Sequence, residues 1–518
     1  MVRNNTSDDP LAEARVLLEQ GRWLLAAANV DQVFLRGADD DAIKRKALWV
    51  RLYAYNRLQW LVDGSAAAEQ LLACRNLDSD DYLELALYRV LLGQSEQARK
   101  YFKLAMAQSP NNALLYSELA ITYEQQGNIE KSLGIYEQIV NRCVKRGKLS
   151  EVDVRVFSRL AALRNLHNTE YQLLKKSFKR NSSAELTTRI AHTLAKAYRK
   201  QGATEQEIDW LITANERAKL EADNEGSVWA QQQAAERTAL IQETFAQPQP
   251  DWWPDTHDHR KAENHGDIIP MPIFILGMPR SGTTLLEQII GGHSAVGNTG
   301  ESRGLDIALF KATQALGLQA ATGQFSLIRN VPKLSARGLK ALRGSYIEYQ
   351  QLLSNKAVLT DKALSHVSWV GLLANLFTRA KFVYIERNVL DNCVSLLQQD
   401  FKNAPYSNTP TGCVLEHADY HKKIMHWKTL YPDRLHCLKY ETLVAEPATE
   451  ARDLLKFLGL HWEDRVLDFK RRSNSVRTPS VGQVRQAINT RQIEKWRKYE
   501  RLIKPAIGVA QENGLFAI

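Results

Sequence analysis

Apolar positions along the chain follow two different rhythms. Up to about residue 245 they recur at helical spacing with few interruptions. A longer period runs through the same stretch. Tyr82, Leu85, Ala86, Gly93, Ala98, Phe102 and Ala105 set a pattern, and adding 34 gives Tyr116, Leu119, Ala120, Gly127, Ser132, Tyr136 and Ile139. Most types are kept or nearly kept, and the match fails at the closing proline, because Pro110 plus 34 is Val144. A later copy runs through Ala191, Leu194, Ala195, Tyr198, Gly202, Leu211 and Ala214, and a fainter one through Ala14, Gly21 and Ala26. Each glycine is expected at the turn between two paired helices, and the alanines let those helices approach closely.

Beyond residue 270 the rhythm changes to short apolar runs, each closed by a polar turn and followed by a helical pattern. Such alternation predicts an α/β domain with a central parallel sheet. Between the two regions lies 246–270, rich in proline and charge and without periodicity, which reads as a linker. Trp252 and Trp253 within it are expected to dock the domains together. The division is therefore 1–245, 246–270 and 271–518.

One turn in the second region carries the clearest chemistry. Ile273 to Leu276 reads as a buried strand, and Leu285 to Ile290 as a helix with Thr283 or Thr284 near its cap. A strand feeding a glycine-rich turn into a helix aims backbone N–H groups and the helix's positive end at one point, an anion site. Gly277 and Gly282 have the spacing of a P-loop, but Thr283 stands where that motif has lysine. Triphosphate chemistry thereby loses its central cation. Arg280 moves the positive charge earlier in the loop, where a planar fork can grip an oxyanion. The dinucleotide fingerprint G-x-G-x-x-G is absent from it.

Composition narrows the partners. A chain of 518 residues is too long for one ordinary core. Its net charge of +10 calls for anionic company. No nucleic-acid motif and no Lys/Arg block on a helix face is visible, so part of the excess is assigned to a polyanionic small molecule. No run of eighteen apolar residues exists, so no membrane span is expected, and the first ten residues lack the apolar core of a signal peptide. Five cysteines, with no C-x-x-C pair, suggest neither a disulfide framework nor a zinc site. A cytoplasmic protein is expected.

Pro279-Arg280-Ser281-Gly282-Thr283-Thr284 after an apolar strand resembles the 5′-phosphosulfate-binding loop of sulfotransferases that use 3′-phosphoadenosine 5′-phosphosulfate (PAPS), and most of all the tyrosylprotein sulfotransferases. The 34-residue period resembles the tetratricopeptide repeat. Together these imply a tetratricopeptide-like α-solenoid followed by an α/β P-loop-type sulfotransferase domain. The resemblance implies that all six loop residues hold the co-substrate. It makes Glu301 the general base and Arg303 an acceptor contact. Lys362 falls on the oxygen bridging phosphate and sulfate, and Arg387 with Ser395 on the 3′-phosphate. Tyr440 lies near the adenine, Ser480 near the bridging oxygen and Lys495 on phosphate. Four residues beyond the serine the tyrosylprotein enzymes carry an arginine; here that position is Gln399. Those enzymes also generally carry a membrane anchor, which is not expected here.

The acceptor stays open among peptide tyrosine, a sugar hydroxyl and a small alcohol or phenol. His293 and His366 are rival bases. No metal is expected, since the cations and loop amides supply the positive field. The repeats either hold a protein or peptide in their groove, or support the neighbouring domain and mediate self-association as a homodimer. Two other classes remain beside the enzyme: a kinase-like protein needing ATP and Mg²⁺, and a repeat-based adaptor whose nucleotide-binding domain is inactive.

Overall fold

The computed structural model describes residues 11–35, 40–224, 229–254, 271–317, 324–401, 404–468 and 488–516. Two compact units are present: residues 1–132 with 348–353, and residues 133–347 with 354–518.

Thirteen α-helices precede the first strand among the described residues, and the repeat glycines fall between successive helices. Gly93 separates the helices Ser79–Leu91 and Ser95–Gln108, and Gly127 separates Ala113–Gln125 from Ile129–Arg146. Gly202 caps Ala184–Gln201 before Thr204–Asn224, and Gly21 lies between Ala12–Glu19 and Trp23–Leu35. All four glycines have φ between 69° and 83°, a left-handed turn that a side chain disfavours. Ala86, Ala98, Ala105, Ala120, Ala191 and Ala195 are fully buried, as close helix contact requires.

The strands are β1 (Met271–Leu276), β2 (Val296–Asn298), β3 (Val358–Asp361), β4 (Lys381–Glu386) and β5 (Leu435–Lys439). They form one parallel sheet in the order β2-β3-β1-β4-β5. Side chains alternate across it. Phe274, Leu276, Phe382 and Tyr384 enter one core, while Ile273, Ile275, Val383 and Ile385 enter the other. Burial on both faces explains why these strands are continuous apolar runs.

The first of those cores does not stop at the sheet. It includes Ala195, Ile208, Leu211, Ile241 and Phe245 from the preceding helices. Phe245 packs so closely on Gly371 that a Cβ there would lie 2.5 Å from its ring, and it meets Trp427 edge-on at 5.9 Å. Trp252 and Trp253, the expected docking pair, pack against this same core, with the Trp252 indole N–H donating to the Thr244 carbonyl at 2.9 Å. Polar ties cross between the same parts: Thr238 donates to Asp419 at 2.6 Å, and Asn215 to the Leu397 carbonyl at 3.0 Å. No described helix is long and apolar enough to cross a membrane.

Because every strand runs the same way, all five carboxyl ends lie along one edge of the sheet. In open parallel sheets that edge is where ligands bind.

Candidate active site

The glycine-rich turn follows β1 and opens the helix Thr283–Ile290. The cap residue is Gly282 itself, at φ 113°, with Thr283 and Thr284 in the first helical turn rather than at the cap. A Cβ on Gly282 would lie 2.6 Å from the Tyr440 ring and 3.0 Å from Ile385, so only glycine fits. Arg280 also has a positive φ, 68°, which an L-residue adopts only when its surroundings impose it. Three bonds impose it here. The Arg387 guanidinium donates from Nη1 to the Arg280 carbonyl at 2.8 Å, Asn392 donates to the Pro279 carbonyl at 2.9 Å, and the Ser281 N–H donates to the Met278 carbonyl at 3.1 Å. At the start of the loop the Gly277 N–H donates to the Tyr420 hydroxyl at 2.7 Å. Ser281 is buried, yet among the described residues its hydroxyl has no hydrogen-bond partner, and the same holds for Arg387 Nε. Buried donors are normally satisfied, so two orphans beside one loop suit an anion as the missing partner.

β3 ends in Asp361, and Lys362 follows with its N–H donating to the Gly300 carbonyl at 2.9 Å. That bond continues the β2–β3 pairing and brings Glu301 alongside. The Lys362 ammonium is fully buried and donates to Glu301 Oε1 at 2.9 Å, with Glu287 Oε2 at 3.8 Å. Burial alone would lower its pKa, but Glu287 and then Glu301 outweigh burial, and the group is held above the usual lysine value. Burial raises the Glu287 pKa, and Lys362 opposes that rise. Glu287 also accepts from the Gly300 N–H at 3.0 Å. Glu301 is half exposed, so it is the carboxylate an arriving molecule meets.

β4 delivers Arg387, and Asn388 caps the helix Val389–Leu397 that carries Ser395. Arg280 Nε donates to Ser395 Oγ at 3.2 Å, joining the loop to this helix. The Arg387 guanidinium lies 4.7 Å from the centre of the Tyr440 ring, which starts the helix after β5. Asp391, one turn before Ser395, accepts the N–H groups of Glu494 and Trp496 at 2.8 Å each and so pins Lys495 to the same helix. Lys495 donates to Gln398 at 3.1 Å. Burial, followed by Arg387 and Arg199, lowers Arg280 to about 10. Burial and then Arg199 lower Lys495 to about 7, with Glu207 opposing and Arg387 and Arg280 adding to the effect.

The structure thus brings Arg280, Arg387, Ser395, Tyr440 and Lys495 into one network and pairs Glu301 with Lys362. Arg303, two residues after Glu301, is about half exposed just before the helix Gly304–Gln314, with Asp306 at 3.8 Å. Both rival histidines are buried. His366 is fully buried against Asp361 at 2.9 Å and Phe274, while His293 is buried against Glu463 at 3.5 Å and His461. Ser480 lies outside the described residues. Asn392, Asp391 and Glu287 belong to the site but carried no sequence signal, because each acts through a partner distant along the chain.

Among the described residues, one group of ligand-type side chains converges closely enough for a metal ion: His293, His461 and Glu463, with atoms within 4.8 Å of one another. The Ala295 N–H donates to His293 Nδ1 at 3.1 Å, which places the neutral ring's proton on Nε2, the atom facing Glu463. A metal ligand has the reverse arrangement, one nitrogen donating and the other bare. Glu463 also accepts the Ser294 N–H at 2.9 Å.

Known proteins similar to this chain are sulfotransferases or are uncharacterized. A sulfotransferase-family model matches residues 272–464. A protein of Aquifex aeolicus (strain VF5), described as uncharacterized, is 33% identical over 329 residues, covering 62% of this chain and 41% of its own. The protein-tyrosine sulfotransferase of Drosophila melanogaster is 26% identical over 257 residues, 46% of this chain and 50% of that one. Protein-tyrosine sulfotransferase 2 of Gallus gallus is 26% identical over 244 residues, 43% of this chain and 62% of that one. The chain therefore spans less than two thirds of the length of each of these relatives. Among solved structures, the sulfotransferase domain of the Synechococcus PCC 7002 olefin synthase is similar at 22% identity and a TM-score of 0.34, covering 48% of this chain and 96% of that one. Residues 272–464 are thus similar to the sulfotransferase family, and protein-tyrosine sulfotransferases are among the chain's relatives.

Proposed function

We propose that the protein is a sulfotransferase that moves the sulfuryl group of PAPS onto an acceptor hydroxyl. One observation carries the reading. Taken in sheet order, the five strand ends present Glu301, Lys362, the Gly277–Gly282 loop, Arg387 with Ser395, and Tyr440. That sequence of base, cation, anion loop, second cation and aromatic ring matches the order of parts from acceptor to adenine in an extended PAPS molecule.

When bound, PAPS supplies an activated sulfuryl group, and transfer leaves negative charge on the bridging oxygen. The residues divide the remaining work. Glu301, half exposed, takes the proton from the acceptor hydroxyl. Glu287 stays buried beside Lys362, so the ammonium keeps a counter-charge after Glu301 is neutralised. Lys362 is then available to the charge developing on the leaving group. The Ser281 hydroxyl, the loop amides and Arg280 hold the 5′-phosphate, and Arg387 with Ser395 and Lys495 holds the 3′-phosphate. Two related proteins are named for tyrosine as acceptor, which supports a peptide tyrosine hydroxyl as the substrate here.

The test incubates the purified chain with sulfur-labelled PAPS and a protein extract, then locates the label by mass spectrometry. Label on tyrosine is the expected result, with none transferred by Glu301→Gln protein that still binds adenosine 3′,5′-bisphosphate. Label on a sugar or small molecule would overturn the tyrosine assignment alone. No transfer to any fraction, with partner capture unaffected by Glu301→Gln, would replace the enzyme by the adaptor reading.

A further inference from the structure

Besides Lys495, the nucleotide edge of the sheet receives a further cation that does not come from a strand end. Arg199 is carried by the helix Ala184–Gln201, which belongs to the repeat-like region, and its Nε donates to Glu207 Oε1 at 2.6 Å. Glu207 is almost fully buried and shared. Gln398 donates to its Oε1 at 3.0 Å, and the Tyr499 hydroxyl donates to its Oε2 at 2.9 Å. Gln398 in turn accepts from Lys495 and lies one turn beyond Ser395 on the same helix. Arg199 is thus two side chains away from Lys495, and its guanidinium is bonded only through Nε among the described residues.

Basic groups crowd here. Arg199, Arg280, Arg387 and Lys495 lie together, facing the carboxylates of Glu207 and Asp391, with Glu441 beside Asp391. Asp391 is already occupied by two backbone N–H groups. Burial and then this crowding lower the proton affinity of Arg280 and Lys495, and the Arg199 charge adds to both effects. A cluster that disfavours its own charges while keeping buried donors without partners is arranged for an anion.

We propose that Arg199 is a specificity-determining residue of the nucleotide site, through which the helical region contributes a cation to the second phosphate of an adenosine bisphosphate. The inference rests on the PAPS reading above and adds that the site is incomplete without the helix Ala184–Gln201. The alternative is a purely structural Arg199–Glu207 pair tying two helices together.

Binding of adenosine 3′,5′-bisphosphate and of adenosine 5′-monophosphate to the full chain separates the two. Arg199→Gln removes the charge but keeps an amide to donate to Glu207, and Arg199→Lys keeps the charge without the fork. The expected result for Arg199→Gln is an affinity for the bisphosphate about 10–100-fold lower, as for loss of one charged contact. Affinity for the monophosphate should stay within about threefold, and Arg199→Lys should fall between the two proteins. In the wild type, the bisphosphate and not the monophosphate should protect Arg199 from phenylglyoxal, a readout that needs no variant to fold. Equal losses for both nucleotides, or unchanged bisphosphate binding and no protection, would overturn the inference while leaving the PAPS reading intact. A folded wild-type chain that binds neither nucleotide would overturn both.

Discussion

Lys362 lies between two carboxylates of unequal exposure, and that inequality assigns their parts. Glu287 is buried and holds the ammonium charged, whereas Glu301 is open to an acceptor. Glu301→Gln preserves shape and removes the base, so single-turnover rates should fall by roughly 10²–10⁴-fold with bisphosphate affinity little changed. If the variant instead loses affinity while the saturated rate survives, Glu301 is not the base. Lys495 offers a second check. Its folded pKa of about 7 lies below the ordinary lysine value, so between these pH values the folded chain binds fewer protons than the unfolded one, and stability rises with pH across that window. A bound polyanion reverses the preference and recharges the ammonium. Calorimetry at about pH 8 in buffers of different ionisation enthalpy should therefore show proton uptake on bisphosphate binding, absent in Lys495→Met. Equal uptake in both proteins would place the titrating group elsewhere.

At the scale of elements, the chemistry is set by the residues directly after each strand. The loop, Lys362 and Arg387 were legible because each adjoins an apolar run, so a strand end could be read from local pattern alone. Thr283 and Thr284 do lie next to the cap, but the cap residue itself is Gly282, and a glycine at φ 113° leaves no propensity signal that would have named it. The clamps were not legible at all. Asn392 reaches the loop across 113 residues and Asp391 reaches Trp496 across 105, and no local spacing announces such pairs. The loop's strain gives a prediction of its own. Gly282→Ala must leave positive φ or displace the Tyr440 ring, a destabilisation of about 1–3 kcal/mol. Chemical denaturation should show that loss, together with weakened bisphosphate binding. Unaltered stability and affinity would mean that the loop relaxes without consequence.

At the scale of the whole molecule, helices and sheet were legible as two rhythms, but the core joining them was not. Phe245 ends a helical pattern in the sequence, and only the fold places its ring against Gly371 and Trp427. The polar ties behave alike, with Gln398 meeting Glu207 across 191 residues and Tyr499 meeting it across 292. Residues 133–245 and the sheet therefore share one compact unit. Phe245→Ala should cost about 3–5 kcal/mol and weaken nucleotide binding as the helices carrying Arg199 loosen. A small change in urea midpoint, with intact binding, would show that the two parts hold together without this ring.

The central claim is that the sheet edge holds an adenosine bisphosphate through protein cations and loop amides. Titration calorimetry with adenosine 3′,5′-bisphosphate, with and without EDTA, tests it most directly. The account predicts one nucleotide per chain, bound equally well in EDTA and displaced by PAPS. Binding that requires magnesium, a preference for ATP, or no heat from a folded sample would contradict it.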